Sequence, residues 1–232
     1  MQLMEHILDN PVYNALISGN QKLSLGTESA KYFAQDVAPF VGLKEATAEN
    51  FEQLYHMLPS ESTFAFFSPT EISIVHPWEV LNHLKCLQMV FNTVLEPVVT
   101  ETRIIPLHSV HVPQMIALTQ LTKPGPFFAN TIEFGNYHGI FEGDDLVAMA
   151  GNRMHPFHYT EISAVCCHPD HSGKGYARML LQNQIRLIQQ NDNIAFLHVR
   201  SDNERAVKVY KDLGFEVRRE VSIYSIQKHI SF

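Results

Sequence analysis

The sequence predicts a mixed α/β (α+β) fold with helices laid on a sheet, and three observations predict it. Strand-like and helix-like periodicities alternate along the chain. Two apolar runs, residues 137–142 and 146–150, flank Gly143-Asp144-Asp145, a hairpin signal. A third run, 162–167, stops at His168-Pro169-Asp170, passes through a loop holding Gly173 and Gly175, and enters an amphipathic helix. An apolar content of 45% over 232 residues supports a packed core rather than disorder.

Taken in order, residues 45–58 predict a helix. Thr47 is its N-cap candidate, Phe51, Leu54, Tyr55 and Leu58 share one face, and Pro59 ends it. Residues 63–68, around Phe64, Phe66 and Phe67, read as a strand. Residues 77–93 read as a second helix, with Val80, Leu81, Leu84, Leu87 and Val90 at helical spacing. Pro97 and Pro106 flank a β-rich run over 95–107, and Ser109 begins a helix through Leu121. After the hairpin, 160–167 is a strand and 176–190 a helix with Ala177, Leu180, Leu181, Ile185 and Ile188 inward. Residues 194–199 form a strand. Residues 205–213 form a short helix ended by Gly214, and 216–227 supply one or two final strands.

A net charge of −7 argues against nucleic acid as the main partner, because duplex binding needs a basic face. The one adjacent basic pair, Arg218-Arg219, reads as a solvated strand face. Cys86, Cys166 and Cys167 form neither a CxxC nor a disulfide framework, so a reducing, cytoplasmic location is expected. The opening Met1-Gln-Leu-Met-Glu-His6 does not lead into a long apolar run, and neither a signal peptide nor a membrane span is expected. His155 with His158, and His168 with His171, have spacings a metal could use, but no third ligand is evident; no metal is expected.

Two glycines between a strand and a helix N-terminus make an anion site. Backbone N–H groups point outward, the helix dipole adds positive potential, and no Cβ blocks approach. A P-loop would need Gly at His168 and Ser or Thr at Gly175, and a Rossmann fingerprint would need Gly or Ala at Arg178. Both fail. Downstream, Asn203 precedes a helix and Tyr210 follows seven residues later, within an Asn-x-x-Ala-x-x-x-Tyr-x-x-x-Gly-Phe pattern ending at Phe215.

Loop and pattern together resemble the GNAT superfamily of acyl-CoA-dependent N-acetyltransferases. The family's loop, Arg/Gln-x-x-Gly-x-Gly/Ala, stands here as Ser172-Gly-Lys-Gly-Tyr-Ala177, with Ser172 in place of Arg or Gln. The resemblance implies a mixed, mostly antiparallel sheet flanked by helices over residues 96–232, with 1–95 an additional N-terminal α+β region. That region is a candidate for shaping the acceptor site. It also implies an acetyltransferase that moves an acetyl group from acetyl-CoA directly to a small-molecule or peptide amine. No membrane partner is implied, and a homodimer stays open. Val165, Cys166 and Cys167 would splay from the neighbouring strand and meet the pantetheine arm. Gly173, Lys174, Gly175, Tyr176, Ala177 and Arg178 would hold the pyrophosphate. Asn203 would contact the cofactor arm, and Tyr210 would protonate the departing thiolate. Glu161 and His198 compete as general base, Glu161 being preferred and needing its pKa raised by burial. The rival reading is a non-catalytic acyl-CoA-binding sensor or scaffold, or a transferase of a longer acyl group.

Each residue also has a plainer role to weigh. Ser201-x-x-Glu204 fits a capping box, with Asn203 serving the same helix start. Tyr210 on an apolar helix face is ordinarily core. His198 in an alternating strand is ordinarily a satisfied core histidine, and Cys166 and Cys167 read as small residues facing opposite sides of a sheet.

Overall fold

The computed structural model describes residues 6–94 and 103–229. Helix α1 is Pro11–Leu16, and strands β1 Ser24–Gly26, β2 Ala30–Phe33 and β3 Phe40–Leu43 follow. Helix α2, Ala48–Met57, begins where Thr47 accepts a hydrogen bond from the Asn50 N–H, as its sequence suggests. Next come β4 Phe64–Ser68, β5 Trp78–Phe91, β6 Ile105–Pro106 and α3 Val112–Thr122. The C-terminal part holds β7 His138–Glu142, β8 Asp145–Asn152, β9 Tyr159–Cys167, α4 Tyr176–Gln189, β10 Ile194–Arg200, α5 Glu204–Leu213 and β11 Glu216–Lys228.

Among the described residues the strands form one sheet in the order β1-β2-β3-β4-β11-β5-β10-β9-β8-β7-β6. Only β3–β4 and β9–β10 are parallel, so the sheet is mostly antiparallel. The expected partition at residue 95/96 is crossed by this sheet: β5, from the first half, pairs with β11 on one side and β10 on the other.

Alternate strand residues face different helices. Val90 and Phe196 pack in the cluster that takes in Leu16 of α1 and Met115 of α3. Their neighbours Met89, Phe91, Ala195 and Leu197 pack against Leu181 and Ile185 of α4. Burying one such aliphatic side chain stabilises by about 1.5–3 kcal/mol. A separate cluster joins Phe51 and Leu54 of α2 to Phe64, Phe66, Trp78 and Tyr224.

The helix expected over 77–93 is instead β5. Two features of its surroundings hid the strand. Residues 88–91 are all buried, because both faces of the sheet are covered there, so no alternation shows. Residues 79–83 are all exposed, with Val80 and Leu81 on the surface. Two-sided pairing overrode the helix-compatible spacing. The run expected over 95–107 falls largely outside the described residues; only Ile105–Pro106 is seen as strand. Arg218 and Arg219 are not a solvated face either: both pair with Asp9, Arg219 at 2.8 Å.

Amide hydrogen exchange checks the β5 assignment. Protection should be continuous over 86–90, which have strands on both sides, and alternate over 78–85, which pair with β11 alone. A helix would protect the whole segment evenly.

Candidate active site

Strands β9 and β10 lie side by side but pair only at Tyr159–Ile194, Thr160–Ala195 and Glu161–Phe196. Beyond Glu161 the β9 edge that faces β10 has no strand partner among the described residues, while its other edge stays paired with β8 through Cys167. Ala164, at φ 53°, marks the departure, with a register shift against β8 between Met149 and Gly151. A non-glycine residue in this left-handed region carries about 1–2 kcal/mol of strain. The shift also reverses facing: Ile162 packs toward α4, whereas Ala164 and Cys166 pack on the opposite side.

The resulting wedge is a cavity of about 630 Å³. It gathers Val165, Cys166, Cys167, His198, Asn203 and Tyr210, all expected from the sequence. Asn203 caps α5, its Oδ1 accepting from the Ala206 N–H at 3.1 Å, which leaves its amide NH2 uncommitted. The cap is Asn203 itself; Ser201 instead donates to the Lys85 carbonyl. Tyr210 packs against Phe215, and burial pushes its phenol up to about 12. Its hydroxyl makes no hydrogen bond among the described residues. Burial likewise pushes the Cys166 thiol to about 12 and raises that of Cys167, which disfavours thiolate chemistry at either.

The glycine loop lies at the N-terminus of α4. Gly173 and Gly175 both have φ 81°, and a Cβ at either would meet nothing within 4 Å. An L side chain would be strained there while the space above stays open to a ligand. The N–H groups of Gly173, Lys174 and Gly175 have no backbone partner among the described residues, and α4 has no side-chain cap and no acidic residue in its first turn. Lys174, Ala177 and Arg178 flank this open ground. Tyr176 differs: its ring is buried against Ile140 and Leu180, and its hydroxyl donates to Glu142, so only its main chain faces the loop.

Glu161 is fully buried at the last paired position of β9. Its Oε2 accepts from Arg153 Nε at 2.7 Å, and its Oε1 from Arg153 Nη2 at 2.6 Å and His198 Nδ1 at 2.7 Å. Burial alone would raise this carboxyl, but the charge and hydrogen bonds of Arg153, with the hydrogen bond from His198, outweigh it and hold it at about 2. The raised pKa that a base at Glu161 requires is therefore not what the fold supplies.

His198 is also committed. Gln88 Oε1 accepts from Arg218 Nε, and Gln88 Nε2 donates to the Leu8 carbonyl at 2.8 Å. That orientation turns the Gln88 NH2 toward His198 Nε2, 3.0 Å away. The network assigns the proton to Nδ1, which donates to Glu161, and leaves Nε2 as an acceptor. Neither ring nitrogen is left for the cavity.

Arg153 and Gln88 escaped the sequence reading. Gln88 lay in the segment read as a helix. Arg153 follows β8 and pairs its N–H with the Glu161 carbonyl at 3.0 Å. Only the hairpin register, counted from its turn, brings it opposite Glu161. No group of three His, Cys, Asp or Glu suited to a metal occurs among the described residues.

Residues 137–224 match the family model of FR47-like proteins. Over 85 residues the chain is 32% identical to the N-alpha-acetyltransferase RimI of Mycobacterium tuberculosis, covering 35% of this chain and 52% of that relative. It thus spans about half the length of that curated protein. A solved structure from Novosphingobium aromaticivorans, described as an acetyltransferase of the GNAT family, superposes with a TM-score of 0.90 at 27% identity. That superposition covers 97% of this chain and all of the other. A GCN5-related N-acetyltransferase from Kribbella flavida shares the fold, at TM-score 0.63 and 13% identity over 92% of this chain and 93% of that one. The fold is that of a GNAT-family acetyltransferase, and the three likenesses together support an N-acetyltransferase of the GNAT superfamily.

Replacing Glu161 by Gln should cost about 3–5 kcal/mol in thermal or denaturant unfolding, since it leaves the Arg153 guanidinium without its counter-charge. The folded carboxyl lies near 2, below its ordinary 4.5. The contribution should therefore be whole above about 4.5 and fade as pH falls through about 2. Unchanged stability in Glu161→Gln would remove the cluster from the account.

Proposed function

We propose that this chain transfers an acetyl group from acetyl-CoA to an amine by direct attack, in the cytoplasm. The observation that carries the reading is a pair of features at the C-terminal end of β9, whose Cys167 lines the cavity and leads on toward the glycine loop. An open anion site with two glycines at positive φ stands at the N-terminus of α4, and a wedge between β9 and β10 holds Asn203 and Tyr210. Among the described residues no helix is long and apolar enough to cross a membrane.

The residues present fit acetyl-CoA. The ground above Gly173 and Gly175, with free N–H groups and the helix dipole, suits the pyrophosphate. The unpaired edge of β9 at residues 165–167 offers main-chain groups to the pantetheine arm, and the Asn203 amide NH2 offers a donor. Bound there, the donor supplies a thioester carbonyl open to attack.

The chain's part is then orientation and proton handling. Main-chain N–H groups on the open β9 edge stabilise negative charge gathering on the carbonyl oxygen. Tyr210 Oη holds the proton that the sulfur needs on leaving. Burial keeps the phenol protonated at neutral pH, and no acceptor among the described residues competes for its hydrogen. The amine's own proton goes to water, because Glu161 and His198 are both committed inside the protein. Turnover separates this reading from a non-catalytic acyl-CoA sensor, which would bind the donor and release no CoA.

Two variants test the assignment. Gly175→Glu places a side chain and a negative charge where phosphate should sit, at a φ of 81°. CoA affinity in calorimetry should collapse while the circular dichroism spectrum is kept. Tyr210→Phe keeps ring packing and removes the proton, so turnover should fall roughly 10²–10⁴-fold with CoA affinity and thermal stability little changed. A folded Gly175→Glu protein with wild-type CoA affinity would refute the anion site. Wild-type turnover in Tyr210→Phe, where chemistry limits the rate, would leave Tyr210 a packing residue.

A further inference from the structure

The cavity has a charge pattern that bears on the acceptor. Among the described residues Lys123, Arg153 and Arg200 line it, and no aspartate or glutamate does. Arg200 is answered by Asp202 at 2.5–2.9 Å. Lys123, set at the left-handed C-terminus of α3, has no ion pair among the described residues. Arg153 is half-answered. Glu161 takes its Nε and Nη2, while Nη1 makes no hydrogen bond among the described residues and is not sealed from solvent. The guanidinium carbon stands 4.8 Å over the Phe40 ring, which covers one face of the group. Phe40 packs on Phe67, and Phe67 on His198. The backbone bond from the Arg153 N–H to the Glu161 carbonyl and the Gln88–Arg218 anchor fix the far side. The cluster therefore presents one edge of a guanidinium, clamped in place, to the space beside β9.

A clamped guanidinium edge is a receptor for a planar oxyanion, above all a carboxylate. An amine acceptor arrives mostly as the ammonium ion near neutral pH, and no carboxylate of this cavity meets that charge. A polyamine or aminosugar would set several cations against Arg153 and Lys123. An amine that carries its own carboxylate escapes both difficulties: its anion docks on Arg153, with Lys123 adding attraction, and its amine needs no acidic partner. We infer that the acceptor is a small amino acid, recognised through its carboxylate by Arg153 Nη1. The inference rests on the transferase reading above and names the substrate class of that same cavity.

The test is a matched acceptor panel. Protein, acetyl-CoA and each common L-amino acid, its α-amide and its decarboxylated amine are compared by release of free CoA thiol. At least one free amino acid should be acetylated with an acceptor KM roughly 10- to 100-fold below that of its amide, the span expected for a hydrogen bond to a charged group. The amide also stands in for a peptide N-terminus, so equal or better use of amides or bare amines would overturn the proposal. Thiol release with none of the panel would overturn this proposal, and the transferase reading would fall with it only if polyamines, aminosugars and peptides released no thiol either. A binding readout runs beside it: thermal shift with the N-acetyl amino acid against its N-acetyl amide, in the presence of CoA, should favour the acid. Finally, Arg153→Met with Glu161→Gln removes both charges together and leaves no lone buried ion. It should erase the preference for acid over amide while CoA affinity in calorimetry is kept; a surviving preference would contradict the role of Arg153. Should that variant fail to fold, the acid–amide comparison on the native protein decides alone.

Discussion

Glu161 sits where β9 and β10 stop pairing, and the rest of the site depends on what it does there. Its backbone makes the last rung of the parallel ladder with Phe196, and its carboxylate reaches across to His198 two residues further along β10. Arg153, from the end of β8, closes the cluster on the other side. Three neighbouring strands are thereby tied at the apex of the opening. Beyond the tie, the strained turn at Ala164 carries β9 away, and the free edge becomes the wall of the cavity.

This arrangement explains why two residues with base-like chemistry are poor bases. A carboxylate can be activated by burial, but only without a counter-charge; beside a buried guanidinium the sign reverses, and the carboxyl falls to about 2. A histidine can relay protons only through a nitrogen that faces the substrate. Here Glu161 holds one nitrogen and Gln88 the other. What the cluster turns toward the cavity is the remaining edge of Arg153, backed by aromatic rings from β3 and β4. The N-terminal half thus contributes to the cavity wall through Phe40 and Phe67, and to the cluster through β5, whose Gln88 anchors His198.

Much of the C-terminal architecture was legible in the sequence because its signals are local. The turn at Gly143, the glycine loop before α4 and the Gly214 stop are all set by residues that need positive φ. The amphipathic α4 and the spacing of Asn203 from Tyr210 depend on one helix each. β5 was not legible. Its apolar residues reflect burial on both faces at one end and exposure on both at the other, and its identity comes from β10 and β11, far along the chain. Arg153 was hidden for a similar reason. A lone arginine near a hairpin end carries no pattern, and its meaning appears only when the β8–β9 register sets it against Glu161. The sequence pointed to Glu161 and His198 as chemically interesting, but only the fold shows that they hold each other.

The central claim is that the Arg153–Glu161–His198 cluster is a fixed scaffold and not a proton relay. The most direct measurement is the ¹⁵N NMR spectrum of the His198 ring, recorded for the free protein, with CoA, and with CoA plus an acceptor amine. The account predicts Nδ1 protonated and Nε2 bare at neutral pH, unchanged by either ligand. A proton on Nε2, or a ring that gains or loses one when the acceptor binds, would contradict it and return His198 to the list of catalytic bases.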